Sequence, residues 1–194
     1  MKVVIVGASG FVGRYLAREL ESAGHSTVKV DLPEVNLQNA GQVEALIESA
    51  KPDAVVNLAA ISSVGASWKS PADTINVNVN GTLNLLEAIR KHAPQAKTLL
   101  IGSAEEYAIP EGRSPLKETD PLEASNPYGI SKTANKPILG IECRFVDKML
   151  QGHISRQRIK HCRPLSLSVN TLNTYRTAHP GTGMAVALGE SLGR

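Results

Sequence analysis

Cysteine is scarce: Cys143 and Cys162 are the only two in 194 residues, which leaves no material for a disulfide framework. Together with His153 and His161 they fit no compact zinc spacing, so no metal is expected. Aromatic residues make up only 4% of the chain. No apolar run approaches the roughly 20 residues that a membrane-spanning helix needs. The N-terminal run Val3 to Val6 meets Gly7 too early to form the core of a secretory signal, so a cytoplasmic protein with no membrane partner is expected. Acidic residues are sparse toward the C-terminus: residues 1–132 hold 12 Lys+Arg against 15 Asp+Glu, whereas residues 133–194 hold 9 against 3. The net charge of +3 therefore comes from the tail. Its aromatics are Phe145 and Tyr175 and it carries no recognisable nucleic-acid motif, so binding to nucleic acid is not expected.

What is present is a hydrophobic fraction of 42% and a charged fraction of 20%, ordinary for one globular core. Val3 to Val6 is a β-branched run ending at Gly7, and Phe11, Leu16 and Leu20 follow with helical spacing up to Gly24. Thr27 to Val30 reads as a second strand ending at Asp31, and Val43 to Ile47 form the stripe of a helix that Asn39 can cap. Ala54 to Leu58 and Thr98 to Ile101 read as further strands, separated by a long helix over Thr74 to His92. Strands alternating with helices predict a parallel sheet covered on both faces. Gly102 to Ser125 is a long polar segment with Pro110, Pro115 and Pro121, placed after a strand's carboxyl end, where ligands bind in open α/β sheets. Asn126-Pro127 then starts another helix.

Two motifs carry chemistry. In GASGFVG, Gly7, Gly10 and Gly13 follow a strand and open a helix. That arrangement suits a dinucleotide pyrophosphate held at a helix N-terminus. Asp31 ends the next strand, where a carboxylate accepts hydrogen bonds from an adenosine ribose and repels a 2′-phosphate, so NAD is favoured over NADP. In YGISK, Tyr128 and Lys132 stand at i and i+4 and can meet on one helix face. A phenol with an ordinary pKa of about 10 is a poor base at neutral pH, and a neighbouring ammonium stabilises its phenolate.

These motifs, with PDAVVNLAA at Pro52 to Ala60, NVNGTLNLLEAI at Asn78 to Ile89, GSAEEY at Gly102 to Tyr107 and SNPYGISK at Ser125 to Lys132, resemble the extended short-chain dehydrogenase/reductases over about residues 1–134. The members in view are the NAD-dependent nucleotide-sugar epimerases, dehydratases and reductases. The resemblance implies a Rossmann-type doubly wound parallel sheet, here truncated, with an irregular tail at 135–194 replacing the end of the sheet and the nucleotide-sugar lobe. It also implies that Ser103 hydrogen-bonds the reacting sugar oxygen, that Tyr128 is the acid/base, and that Lys132 tunes Tyr128 and holds the nicotinamide ribose. Phe11, Val12, Leu58, Ala59 and Ala60 would line the cofactor, and Asn78 would support the sheet and cofactor site.

ISSVGASWKSP at Ile61 to Pro71 and GSAEEY look most like the GDP-4-keto-6-deoxymannose reductases, in which Ser62 and Ser63 would contact substrate near C4. Glu105 stands where the related 4,6-dehydratases place a proton-abstracting Glu, so dehydratase and epimerase chemistry stay open. Otherwise Glu105 and Glu106 read as solvated loop residues. The expected partner is a nucleotide sugar, with a homodimer open.

After Ala134 the resemblance stops. Pro137 is expected to kink or end the catalytic helix, and the tail lacks sustained periodicity, with Arg163-Pro164 in surroundings unlike the family's Arg-Pro turn. A shift of reading frame near Asn135 would leave this pattern, in which case another frame of the same DNA encodes family-like sequence beyond that point. Translating the other two frames checks this, and finding none there ends the idea. A non-catalytic, truncated cofactor-binding fragment is the rival to an active enzyme.

Overall fold

The computed structural model describes residues 1–108, 116–117 and 119–135, and residues 165–167 as backbone. In chain order its elements begin β1 (Lys2–Val6), α1 (Phe11–Ser22), β2 (Ser26–Val30), α2 (Ala40–Ala50) and β3 (Ala54–Asn57). They continue with α3 (Val64–Lys69), α4 (Pro71–Ile75), a π-helical stretch (Asn76–Asn80), α5 (Gly81–His92) and β4 (Lys97–Ile101). A 3₁₀ turn (Ala104–Glu106), helical residues 127–135, here α6, and β5 (Leu165–Leu167) complete the described chain. Among the described residues the five strands pair in parallel, in the order β2-β1-β3-β4-β5. The expected Rossmann-type sheet is therefore present.

Val3–Val6 of β1 and Ala54–Val56 of β3 are apolar at every position because both faces of these strands are covered. Val3 and Ile5 pack with Leu16, Ala17 and Leu20 of α1. Val4 and Val6, on the opposite face, pack with Val43 and Ile47 of α2 and with Leu85 and Ile89 of α5. Val3, Val4, Ile5 and Val6 are no more than 2% exposed, and each contributes about 1.5–3 kcal/mol by leaving water. Asn39 caps α2 as expected, its Oδ1 accepting from the Gln42 N–H at 3.2 Å.

One expectation is corrected. The helix expected over Thr74–His92 starts at Pro71 and is interrupted by one π-helical stretch centred on Asn78, an insertion that side-chain periodicity does not reveal. Residues 165–167 of the tail form β5, which pairs with Leu99 to Ile101 along the edge of β4. Pro110, Pro115, Pro137, Cys143, His153, His161, Cys162, Arg163 and Pro164 lie outside the described residues. Among the described residues no helix is long and apolar enough to cross a membrane, and no group of His, Cys, Asp and Glu could hold a metal ion.

Candidate active site

The strand order reverses between β1 and β3, so a crevice opens beyond their carboxyl ends, the usual ligand position in open α/β sheets. Three connections meet there: Gly7–Gly10 after β1, Leu58–Ile61 after β3 and Gly102–Glu106 after β4. Gly7 has φ +81°, and a Cβ there would stand 2.8 Å from the Ala59 nitrogen. Only a glycine lets the first loop lie against the second. The loop is held by the Gly7 N–H donating to the Val30 carbonyl at 2.9 Å and the Gly10 N–H donating to Gly7 at 3.2 Å. Leu58, Ala59 and Ala60 are half-buried, and Asn57 Oδ1 accepts from the Ala59 N–H at 3.1 Å.

Gly10 precedes α1 without a side-chain cap, so the amides of the first helical turn are available to an anion, and the helix dipole favours one. The loop thus fits a pyrophosphate. Phe11 is 74% exposed and stacks edge-on against Tyr15, while Val12 is half-buried. A Cβ on Gly13 would stand 2.6 Å from Ala8 and Gly7 backbone atoms, which fixes the close seating of α1.

Asp31 spans the mouth of this loop. Its Oδ2 accepts from the Ser9 N–H at 2.7 Å and its Oδ1 from the Leu32 N–H at 3.3 Å. Burial works to raise its pKa, but these bonds and one from the Ser9 hydroxyl outweigh it and hold the carboxyl below its ordinary range. A charged acceptor at this position suits ribose hydroxyls.

Asn78 ties the crevice together from the π-helical stretch, a feature often found at functional sites. Its Oδ1 accepts from the Ile61 N–H at 2.8 Å, and its Nδ2 donates to the Ile61 carbonyl at 3.0 Å and to Ser131 Oγ at 2.9 Å. Its own carbonyl accepts from Thr82 Oγ1 and from Asn135 Nδ2. Asn78 therefore clasps the loop after β3 to α6. Ser62 is exposed, while the Ser63 hydroxyl caps α3 by accepting from the Ala66 N–H at 3.2 Å.

Ser103, Tyr128 and Lys132 are brought into one neighbourhood by α6 packing on the 3₁₀ turn. A Cβ on Gly129 would overlap the Glu105 carbonyl oxygen, so the helix lies directly on the turn's backbone. Asn126 secures the approach: its Nδ2 donates to Glu105 Oε2 at 2.7 Å and its Oδ1 accepts from the Gly129 N–H at 2.9 Å. Lys132 is buried, its Nζ donating to the Ile101 carbonyl at 3.1 Å and lying 5.9 Å from the centre of the Tyr128 ring. Burial pulls the Lys132 pKa below the ordinary lysine value, and the negative charge of Glu106 opposes that fall.

Glu105 and Glu106 part company here. Glu105 is exposed, but Glu106 is 1% exposed, which overturns its reading as a solvated loop residue. Its Oε1 accepts from the Ser103 N–H at 2.6 Å, while Ser103 Oγ accepts from the Glu105 N–H at 3.2 Å. The Ser-x-x-Glu spacing of a capping box was the legible signal for this burial. Asn57, Ser131 and Asn135 were also missed, since isolated amides and hydroxyls carry no spacing signature; Asn126 was read only as the start of its helix.

A glycine loop on a helix N-terminus, an acidic residue at the second strand's end and a Tyr-Lys pair beside a serine define a dinucleotide-binding α/β protein of the doubly wound class. Residues 3–140 match the NAD dependent epimerase/dehydratase family. The chain belongs to that family, whose members include nucleotide-sugar epimerases, dehydratases and reductases and bind NAD(P).

It is 32% identical to UDP-glucose 4-epimerase 2 of Oryza sativa over 155 residues, covering 67% of this chain and 38% of that protein. It is 32% identical to the GDP-6-deoxy-D-mannose reductase of Pseudomonas aeruginosa over 136 residues, covering 69% and 44%. The structure of a UDP-glucose 4-epimerase from Thermus thermophilus in complex with NAD superposes with a TM-score of 0.69 at 28% identity, covering 75% of this chain and 51% of that one. The chain thus spans about half or less of the length of these relatives.

Proposed function

We propose that this chain carries the cofactor half and the proton-transfer residues of a nucleotide-sugar oxidoreductase that reduces the C4 keto group of a GDP-4-keto-6-deoxyhexose. The observation that carries the reading is the packing of α6 on the 3₁₀ turn, with Lys132 Nζ 5.9 Å from the Tyr128 ring and the Ser103 backbone fixed nearby. NAD(P)H, when bound, supplies the hydride for C4. As the C4–H bond forms, the carbonyl π electrons pass to oxygen. The Tyr128 hydroxyl then gives that oxygen its proton and is left as a phenolate beside the Lys132 ammonium. The Ser103 hydroxyl donates to the same oxygen and orients it. Gly7, Gly10, Phe11, Val12, Gly13, Leu58, Ala59, Ala60 and Asn78 hold the cofactor, and Ser62 lies free to meet the sugar. The setting is cytoplasmic.

Epimerisation at C4 is the second reading, favoured by the UDP-glucose 4-epimerases among the relatives. It uses the same residues, with Tyr128 first taking the C4 hydroxyl proton. Dehydration is less favoured, because Asn126 already engages the Glu105 carboxylate that it would require.

Purified protein is to be titrated with NADH and NADPH and then offered GDP-4-keto-6-deoxymannose and UDP-glucose. Turnover of the first substrate supports the reductase and turnover of the second the epimerase. Cofactor binding without either supports the fragment, and the same preparation shows by sedimentation whether it dimerises.

Asp31 gives a separate expectation. Asp31→Ala removes the charged acceptor proposed for the ribose, and NADH affinity falls about tenfold, the effect of losing about 1.5 kcal/mol from a charged hydrogen bond. NADPH affinity falls less or rises. Fluorescence titration checks both, and an unchanged preference sinks the ribose assignment.

A further inference from the structure

Glu106 places a carboxylate where an apolar side chain would be cheaper to bury, since a charge out of water is costly unless it is paired and hydrogen-bonded. Three features converge on it. Its Oε1 accepts from the Ser103 N–H at 2.6 Å. A Cβ on Gly102 would stand 2.8 Å from that same oxygen, so the chain leaves room for the carboxylate at the residue before Ser103. Its negative charge acts on Lys132, whose ammonium is buried and bonded to the Ile101 carbonyl at the end of β4.

We propose that Glu106 is a positioning residue: its carboxylate fixes the Ser103 backbone and supplies the counter-charge for the Lys132 ammonium, so that Ser103, Tyr128 and Lys132 address one sugar oxygen together. This rests on the assignment of those three residues to C4 chemistry. Among the described residues, the titratable groups facing Lys132 are Glu106 from the 3₁₀ turn and Tyr128 one helical turn earlier on α6; β4 contributes the neutral Ile101 carbonyl. Glu105 is exposed and held by Asn126. Removing the negative charge of Glu106 makes proton loss easier for Lys132. Carbonyl reduction needs the phenol proton and the ammonium together, so its alkaline limit must fall to lower pH when Glu106 is neutralised.

Two variants separate charge from shape. Glu106→Gln keeps an oxygen that accepts from the Ser103 N–H and removes only the charge. Glu106→Leu removes both.

In protein labelled with ¹³Cε-lysine, with the Lys132 signal assigned through Lys132→Arg, Glu106→Gln is expected to lower the Lys132 titration midpoint by about one pH unit. An unmoved midpoint overturns the counter-charge. In turnover assays the alkaline limb of kcat shifts in the same direction in Glu106→Gln. Glu106→Leu further loses about 10- to 100-fold in kcat, with KM for the cofactor close to that of the parent. Parent-like kcat and pH profile in both variants overturn the proposal, and if Glu106→Leu fails to fold, Glu106→Gln decides. Should no nucleotide sugar turn over, the assigned activity fails, while the NMR midpoint still decides whether Glu106 governs Lys132.

Discussion

Tyr128→Phe is expected to reduce turnover of the C4 carbonyl by about 10²- to 10⁴-fold, the range contributed by a positioned general acid, while leaving NADH affinity close to that of the parent. The substitution removes one oxygen and keeps the ring whose centre lies 5.9 Å from Lys132 Nζ. The Lys132 bond to Ile101 and the Ser131 hydroxyl bond to the Tyr128 carbonyl at 2.7 Å involve no phenol oxygen, so α6 keeps its seat. Steady-state assays with a parallel NADH fluorescence titration separate the two quantities. A variant that retains a tenth or more of parent turnover removes Tyr128 from the proton path, and one that loses cofactor binding as well has been damaged elsewhere.

Gly129→Ala has the second large effect, and its cause is steric. The added methyl would overlap the Glu105 carbonyl oxygen and stand 3.0 Å from the Glu105 carbonyl carbon and 3.1 Å from Ala124 Cβ. The first two are backbone atoms that no rotamer change can clear. The helix must lift from the turn, at a cost of about 1–3 kcal/mol in stability, as for other overpacked contacts. Because that lift separates Tyr128 and Lys132 from Ser103, activity is expected to fall about 100-fold. Ile130→Ala, at a residue 51% exposed, is the control and should change stability by no more than about 0.5 kcal/mol. Urea unfolding of the pair checks the contrast, and equal midpoints would mean that α6 is not seated on Glu105.

The sheet was legible because strands buried on both faces must be apolar throughout: Val3 to Val6 and Ala54 to Val56 announce themselves without knowledge of the fold. Gly7 and Tyr128 were legible for a different reason, since positive φ and i,i+4 pairing each leave a mark in residue type and spacing. Side chains whose meaning depends on distant partners were not. Asn78 was placed near the cofactor site, but its clasp to Ile61 and Ser131 spans 17 and 53 residues, and no local pattern encodes that. Glu106 looked like half of a polar pair because charge predicts exposure. Only the fold shows one carboxylate turned inward and its neighbour outward. Gly129 passed as a spacer between Tyr128 and Lys132, although it sets how closely their helix approaches the serine.

The π-helical stretch also constrains how this chain can change. Deleting one residue within Asn76–Asn80 would restore a regular helix and seem harmless by composition. It would, however, turn everything on one side of the cut by about 100° about the helix axis relative to the other. Either Leu85 and Ile89 would rotate off the sheet, or Asn78 would swing away from Ile61 and Ser131. Substitutions can tune this segment, but its length is locked by what lies on both sides, so insertions and deletions should accumulate in the neighbouring loops instead.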